Sequence, residues 1–243
     1  MKRNNLFESK WFGGAALALG LVGCAMKLTA IFTFDHYIIR EFPDLIHKWN
    51  YLGFFTYTTN IMVDFWLILV GVSILFHLNA LKQFLTTASL QSFLTAMIVI
   101  VGVLYCSTML WFDTPYSRAL WWGNVVTFWH HVVTPACMVY LFFRPADKAR
   151  LGMKNMALWM IYPFSYFLVT MVRGGIVHWY PYPFLDSGWE TFADLRLTPW
   201  VGISVVFVVL LGFMLGVGLL AVKLHNRTAQ KTAPASNRTK SGD

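Results

Sequence analysis

The chain has 243 residues, of which 57% are hydrophobic and only 12% charged, with a mean hydropathy of +0.56. Soluble domains carry about 25% charged residues, so a soluble globular protein is excluded and an integral membrane protein is expected. The formal net charge of +8 does not mark a nucleic-acid binder, because the basic residues gather at the ends of apolar runs instead of forming one basic face.

Six apolar stretches are long enough to cross a bilayer, which takes about 20 residues of helix. They run over 11–34, 52–78, 90–112, 120–143, 156–176 and 199–224. The expected fold class is therefore all-α: a polytopic membrane protein of six transmembrane helices, with a membrane domain over residues 1–225. The remainder, 226–243, is rich in Thr, Ser, Asn, Ala, Lys and Arg and reads as a disordered basic cytoplasmic tail. Cys24, Cys106 and Cys137 all lie inside apolar runs without metal or redox spacing and read as small packing residues. The first stretch imitates a lipoprotein signal around Leu21-Val-Gly-Cys24, yet its apolar run continues to Phe34 and reads as a span.

Basic residues set the orientation. Lys2, Arg3, Lys10, Lys82, Arg144, Lys148, Arg150, Lys154, Lys223, Arg227, Lys231, Arg238 and Lys240 fall on one side. Arg40, Lys48, Arg118 and Arg196 fall on the other. The positive-inside rule then makes both termini cytoplasmic. Sequons at Asn226 and Asn237 therefore lie on the wrong side to be glycosylated. The first outer loop, 35–51, mixes apolar and charged residues and suits a short interfacial helix. The last outer loop reads Trp179-Tyr-Pro-Tyr-Pro-Phe-Leu-Asp186. Two prolines between aromatics make it rigid and non-helical, able to roof a cavity between helices.

Polar residues inside the spans carry the functional signal. Thr56, Asn60 and Asp64 are four apart and share one helix face. His130 and His131 sit mid-span before Pro135. Counting about 1.5 Å per residue from the outer aromatic belt puts Thr56 about 10 Å deep, His131 about 14 Å, Arg173 about 9 Å and Lys27 about 15 Å. Asp64 comes out at about 22 Å, nearer the inner leaflet. A hydroxyl, an imidazole and two cations at similar depth suit proton abstraction from the hydroxyl with charge stabilisation nearby. Each group also has a structural reading: interhelical hydrogen bonding for Asn60 and the histidines, snorkelling for Lys27 and Arg173. Adjacent histidines point about 100° apart, and no third ligand stands at zinc-site spacing, so neither a metal nor a cofactor is expected.

Three motifs together resemble a known family: Phe55-Thr-Tyr-Thr-Thr-Asn60, His131-Val-Val-Thr-Pro135, and Arg173-Gly-Gly with Tyr180-Pro-Tyr-Pro-Phe-Leu-Asp186. They are similar to a bacterial group of six-span membrane proteins that is distantly similar to the eukaryotic androgen-induced-gene and androgen-dependent membrane proteins. Those are intramembrane threonine hydrolases of fatty acid esters of hydroxy fatty acids. The resemblance implies a bacterial inner-membrane protein with Thr56 as nucleophile. Four positions from histidine to proline match His131 to the bacterial members, and five match His130 to the eukaryotic ones. His131 is taken as the base, with Lys27, Asn60, Arg173 and His130 as substrate-contacting groups. The expected partners are membrane lipids or an amphiphilic lipid substrate, not nucleic acid. The alternative function is non-catalytic: lipid binding, transport or scaffolding by the same polar cluster. The lack of an internal repeat and of paired broken helices speaks against a secondary transporter.

Overall fold

A computed structural model describes residues 6–33, 49–111 and 121–232; those residues are mostly helical, with no strand among them. The helices are α1 (Lys10–Thr33), α2 (Phe55–Leu75), α3 (Asn79–Leu85), α4 (Ala88–Trp111), α5 (Trp121–Phe128), α6 (Thr134–Phe142), α7 (Met153–Trp159), α8 (Ile161–Val177), α9 (Glu190–Asp194) and α10 (Pro199–Thr232). A π-helical turn, Trp129–Val133, joins α5 to α6. Six segments are long and apolar enough to cross a membrane: Lys10–Ile31, Phe55–Leu75, Ala88–Ser107, Val125–Phe142, Met153–Val177 and Pro199–Gln230. The six-span, all-helical architecture read from the sequence is thus present. The interfacial helix expected in the first outer loop lies mostly outside the described residues, which begin again with a 3₁₀ turn, Trp49–Gly53.

The core forms where α2, α4 and α6 meet, with Val63, Val70, Met97, Ile98, Ile100 and Met138 all fully buried. Gln91 on α4 donates to the Leu141 carbonyl on α6 at 2.8 Å, and Trp66 Nε1 donates to the Leu85 carbonyl at 2.7 Å, fixing the short α3. α1 lies along α2 through small residues. Gly71 packs on the Gly13–Leu17 stretch, and Gly23 faces the Asp64 carboxyl, where a Cβ would collide. Without water between them, apolar helices gain association from such close backbone approach. α8 and α10 present apolar outer faces, with Val169, Val172, Ile176, Val208 and Val209 all 64–72% exposed, as helices facing lipid do.

The tail departs from expectation. α10 continues past residue 225 to Thr232, so the first part of the segment read as disordered is helix, and residues 233–243 lie outside the described ones. The cause is tertiary. Asn226 donates to the Leu151 carbonyl and accepts from the Leu151 N–H, both at 2.9 Å, and His225 Nε2 meets the Ala149 carbonyl at 3.1 Å. These contacts tie the helix to the loop after α6 and outweigh the poor helix propensity of the segment.

Candidate active site

The fourth span is built around Pro135. Proline has no N–H, and its ring crowds the carbonyl four residues earlier, here that of His131. The chain answers by widening one turn. Thr134 N–H bonds the Trp129 carbonyl, five residues back. In that register the His130 carbonyl is the one that lacks a donor, and Asn60 supplies it: Nδ2 donates to His130 O at 3.2 Å and to Thr56 O at 2.9 Å. Asn60 is fully buried. It therefore stitches α2 to the widened turn, which is the structural role weighed for it in the sequence. π-turns of this kind occur frequently at functional sites.

The turn sends the two histidines to different places. His130 is buried at 1% exposure, edge-on to the Tyr57 ring with centroids 5.4 Å apart. Its Nε2 and the Asn60 Oδ1 have no hydrogen-bond partner among the described residues. His131 stacks on Tyr105, with centroids 3.9 Å apart and planes at 21°. Its Nδ1 lies 2.8 Å from the Thr127 carbonyl. A carbonyl only accepts, so Nδ1 carries the proton and Nε2 presents a lone pair, the tautomer a general base requires.

Thr56 and His131 line the same cavity, of about 270 Å³, bounded by α2, α4, α8, α10 and the last outer loop. Its walls are mostly apolar, with Leu104, Phe164, Phe207, Leu211 and Met214 among them, and Tyr105, Tyr166 and Tyr182 add phenols. The loop forms its roof. α8 ends at His178, whose φ of 53° is left-handed, and the chain turns back there. The Tyr180 ring then occupies the space that a Gly174 Cβ would fill. Around the two prolines, Tyr182, Phe184 and Leu185 close over the cavity. The Tyr182 phenol approaches the Thr56 hydroxyl and the backbone of Phe55 and Thr56. Burial pushes that phenol above its usual pKa, so it stays protonated and can donate. α2 begins at Phe55 with no side-chain cap, and the backbone of its first turn faces the Tyr182 phenol instead.

The other candidates stand elsewhere. Thr58 and Thr59 pair with the Tyr162 hydroxyl at 2.9 and 3.0 Å, which leaves Thr56 as the threonine of this run on the cavity wall. Lys27 and Asp64 form a buried ion pair, 4% and 1% exposed, with Lys27 also 3.3 Å from the Gly23 carbonyl. The depth count had separated these two. It treated the chain as helix from Trp49, whereas α2 starts only at Phe55, and the ion pair itself sets the two side chains level. Arg173 bonds Asn50 and lies over the Trp179 ring. None of Lys27, Asn60, His130 and Arg173 lines the cavity that Thr56 and His131 share. Tyr105 was not singled out from the sequence: a tyrosine in an apolar span gives no sign of the ring it will stack on. No protein-family model, curated protein or solved structure matches this chain, so the functional reading stands on the geometry of this cavity.

Proposed function

We propose that the chain is an intramembrane hydrolase of lipid esters, with Thr56 as nucleophile and His131 as general base. The observation that supports this most is that one apolar cavity collects a threonine hydroxyl and an imidazole whose Nδ1 is already engaged. The acyl chain of a fatty-acid ester occupies the apolar walls and its carbonyl lies at Thr56. His131 Nε2 takes the Thr56 proton as the hydroxyl oxygen attacks the carbonyl carbon. The developing oxyanion is met by the Tyr182 hydroxyl, which the first turn of α2 holds beside Thr56. His131 then passes its proton to the departing alkoxide, leaving an acyl-threonine and a free alcohol. Water, deprotonated by His131, cleaves the acyl-threonine to the fatty acid and restores Thr56. The charge bias of the loops supports cytoplasmic termini in a bacterial inner membrane, which turns the cavity toward the outer leaflet.

The test is turnover of long-chain hydroxy-fatty-acid esters by purified protein, together with labelling by a fluorophosphonate probe. Wild type hydrolyses and labels; Thr56→Ala and His131→Ala do neither while expressing normally. Labelling retained in both variants rejects the assignment. Saturable ester binding by wild type with no turnover makes the cavity a lipid-binding site instead.

A further inference from the structure

A second cavity, of about 380 Å³, lies between α2 and α8 beneath Pro181, and Tyr166 lines both cavities. Its walls are mostly apolar, as those of the first are, but one lining residue, Arg173, is a cation. Thr58, Tyr162, Ser165 and Thr170 line it too, and the Thr58 and Tyr162 hydroxyls there bond each other. The guanidinium is held in place. It donates to Asn50 Oδ1, a residue only 7% exposed, and its Cζ sits 5.3 Å from the Trp179 ring centroid. Trp179 is itself braced edge-on by Phe54, with centroids 5.8 Å apart.

A cation that merely snorkels extends toward water. Arg173 is instead half-buried, tethered by an amide and an indole, and turned to a cavity wall. A guanidinium carries five N–H donors, and Asn50 takes one of them. Among the described residues no carboxylate pairs with Arg173; the ion pair found there is Lys27–Asp64. A fixed, partly desolvated charge with spare donors is a counter-charge for an oxyanion, which a guanidinium engages in a two-pronged manner. The cavity also adjoins an exposed apolar face. Val169 lines it, and Val169, Val172 and Ile176 continue as the exposed apolar face of α8.

We propose that this second cavity binds the oxyanion head group of a membrane amphiphile, with Arg173 as its counter-charge and the acyl chain lying along the Val169–Val172–Ile176 face. The site is separate from the Thr56–His131 cavity, and its occupancy does not depend on ester hydrolysis. Thr56→Ala therefore binds the same amphiphile as wild type.

The full-length protein in a neutral maltoside detergent is melted with added dioleoylphosphatidylglycerol, dioleoylphosphatidylcholine, oleate or glycerol 3-phosphate. Ligands that bind the native state raise Tm in proportion to occupancy. The expected result is a saturable Tm rise with phosphatidylglycerol or oleate that exceeds the rise with phosphatidylcholine, in wild type and Thr56→Ala alike. Arg173→Gln weakens apparent affinity for the anionic amphiphile about tenfold or more, and Arg173→Lys weakens it less, because it keeps the charge and loses the fork. Ser165→Phe, which fills the cavity from an exposed position and leaves the charge in place, gives the same loss and serves if Arg173→Gln fails to fold. A matching rise with glycerol 3-phosphate supports the oxyanion site and assigns it to free head groups; no rise with it assigns the site to the whole amphiphile. Equal shifts with anionic and zwitterionic lipid, or an undiminished anionic shift in both Arg173→Gln and Ser165→Phe, overturn the proposal.

Discussion

Replacing Lys27 by Met strands the Asp64 carboxylate among α1 and α2, where both partners of the pair are at most 4% exposed. Breaking a buried pair by removing one member costs about 3–5 kcal/mol, because the remaining charge loses its partner and gains no water. For a chain of this size each kcal/mol moves Tm by about 2–4 °C, so Lys27→Met and Asp64→Asn should each melt about 6–20 °C below wild type. The double variant carries no charge there and retains only a buried amide, at a cost of about 1–3 kcal/mol. It should therefore melt above either single variant, a non-additivity read from a double-mutant cycle. Gly23→Ala offers an independent route to the same end, since its methyl would take the place of the Asp64 carboxyl. Thermal unfolding in one detergent, followed by intrinsic fluorescence, measures all four. Two single variants within about 2 °C of wild type, or a double variant at the sum of the singles, would refute the reasoning that this pair is a mutually dependent unit.

Three further outcomes follow from the site and the tail. His131→Gln should lower ester turnover about 10²–10⁴-fold with little change in Tm, whereas His130→Gln, altering a buried ring against Tyr57, should lower Tm and leave turnover closer to wild type. Tyr182→Phe removes the hydroxyl near Thr56 while keeping the roof, so kcat should fall about tenfold or more with KM nearly unchanged. Asn226→Ala removes both hydrogen bonds to Leu151 and should lower Tm by several degrees, at about 1 kcal/mol for each bond, with protease cutting newly exposed near the end of α10.

The spans were legible because a bilayer demands about 20 apolar residues in a row, and that demand is written locally. Thr56, His131 and the Tyr180–Asp186 loop were legible as polar or proline-aromatic features in apolar surroundings, and the structure brings Thr56, His131 and Tyr182 to one cavity. The grouping was not legible. Thr56 and Asn60 share a helix face four residues apart, yet Thr56 lines the cavity and Asn60 is consumed by the His130 carbonyl. That division depends on Pro135, on another helix, displacing a hydrogen bond. Lys27 and Asp64 looked misaligned because the start of α2 could not be placed from Trp49. Asn226 looked like part of a polar tail because its partner, the Leu151 backbone, lies 75 residues away.

The widened turn at Trp129–Val133 changes which mutations this span can absorb. Side chains before and after it keep their own packing faces only while the extra residue is present. Losing one residue from this turn would rotate everything on its N-terminal side by about 100°, and a return to α-helical winding would press a carbonyl against the Pro135 ring. His131 would leave its stacking partner Tyr105, and the faces of α5 would swing off their neighbours. Substitutions that keep volume and polarity leave this geometry intact. Chain length between Trp129 and Pro135 is thus more tightly bound than residue identity, and a scan of single-residue deletions along the fourth span should show its deepest loss there.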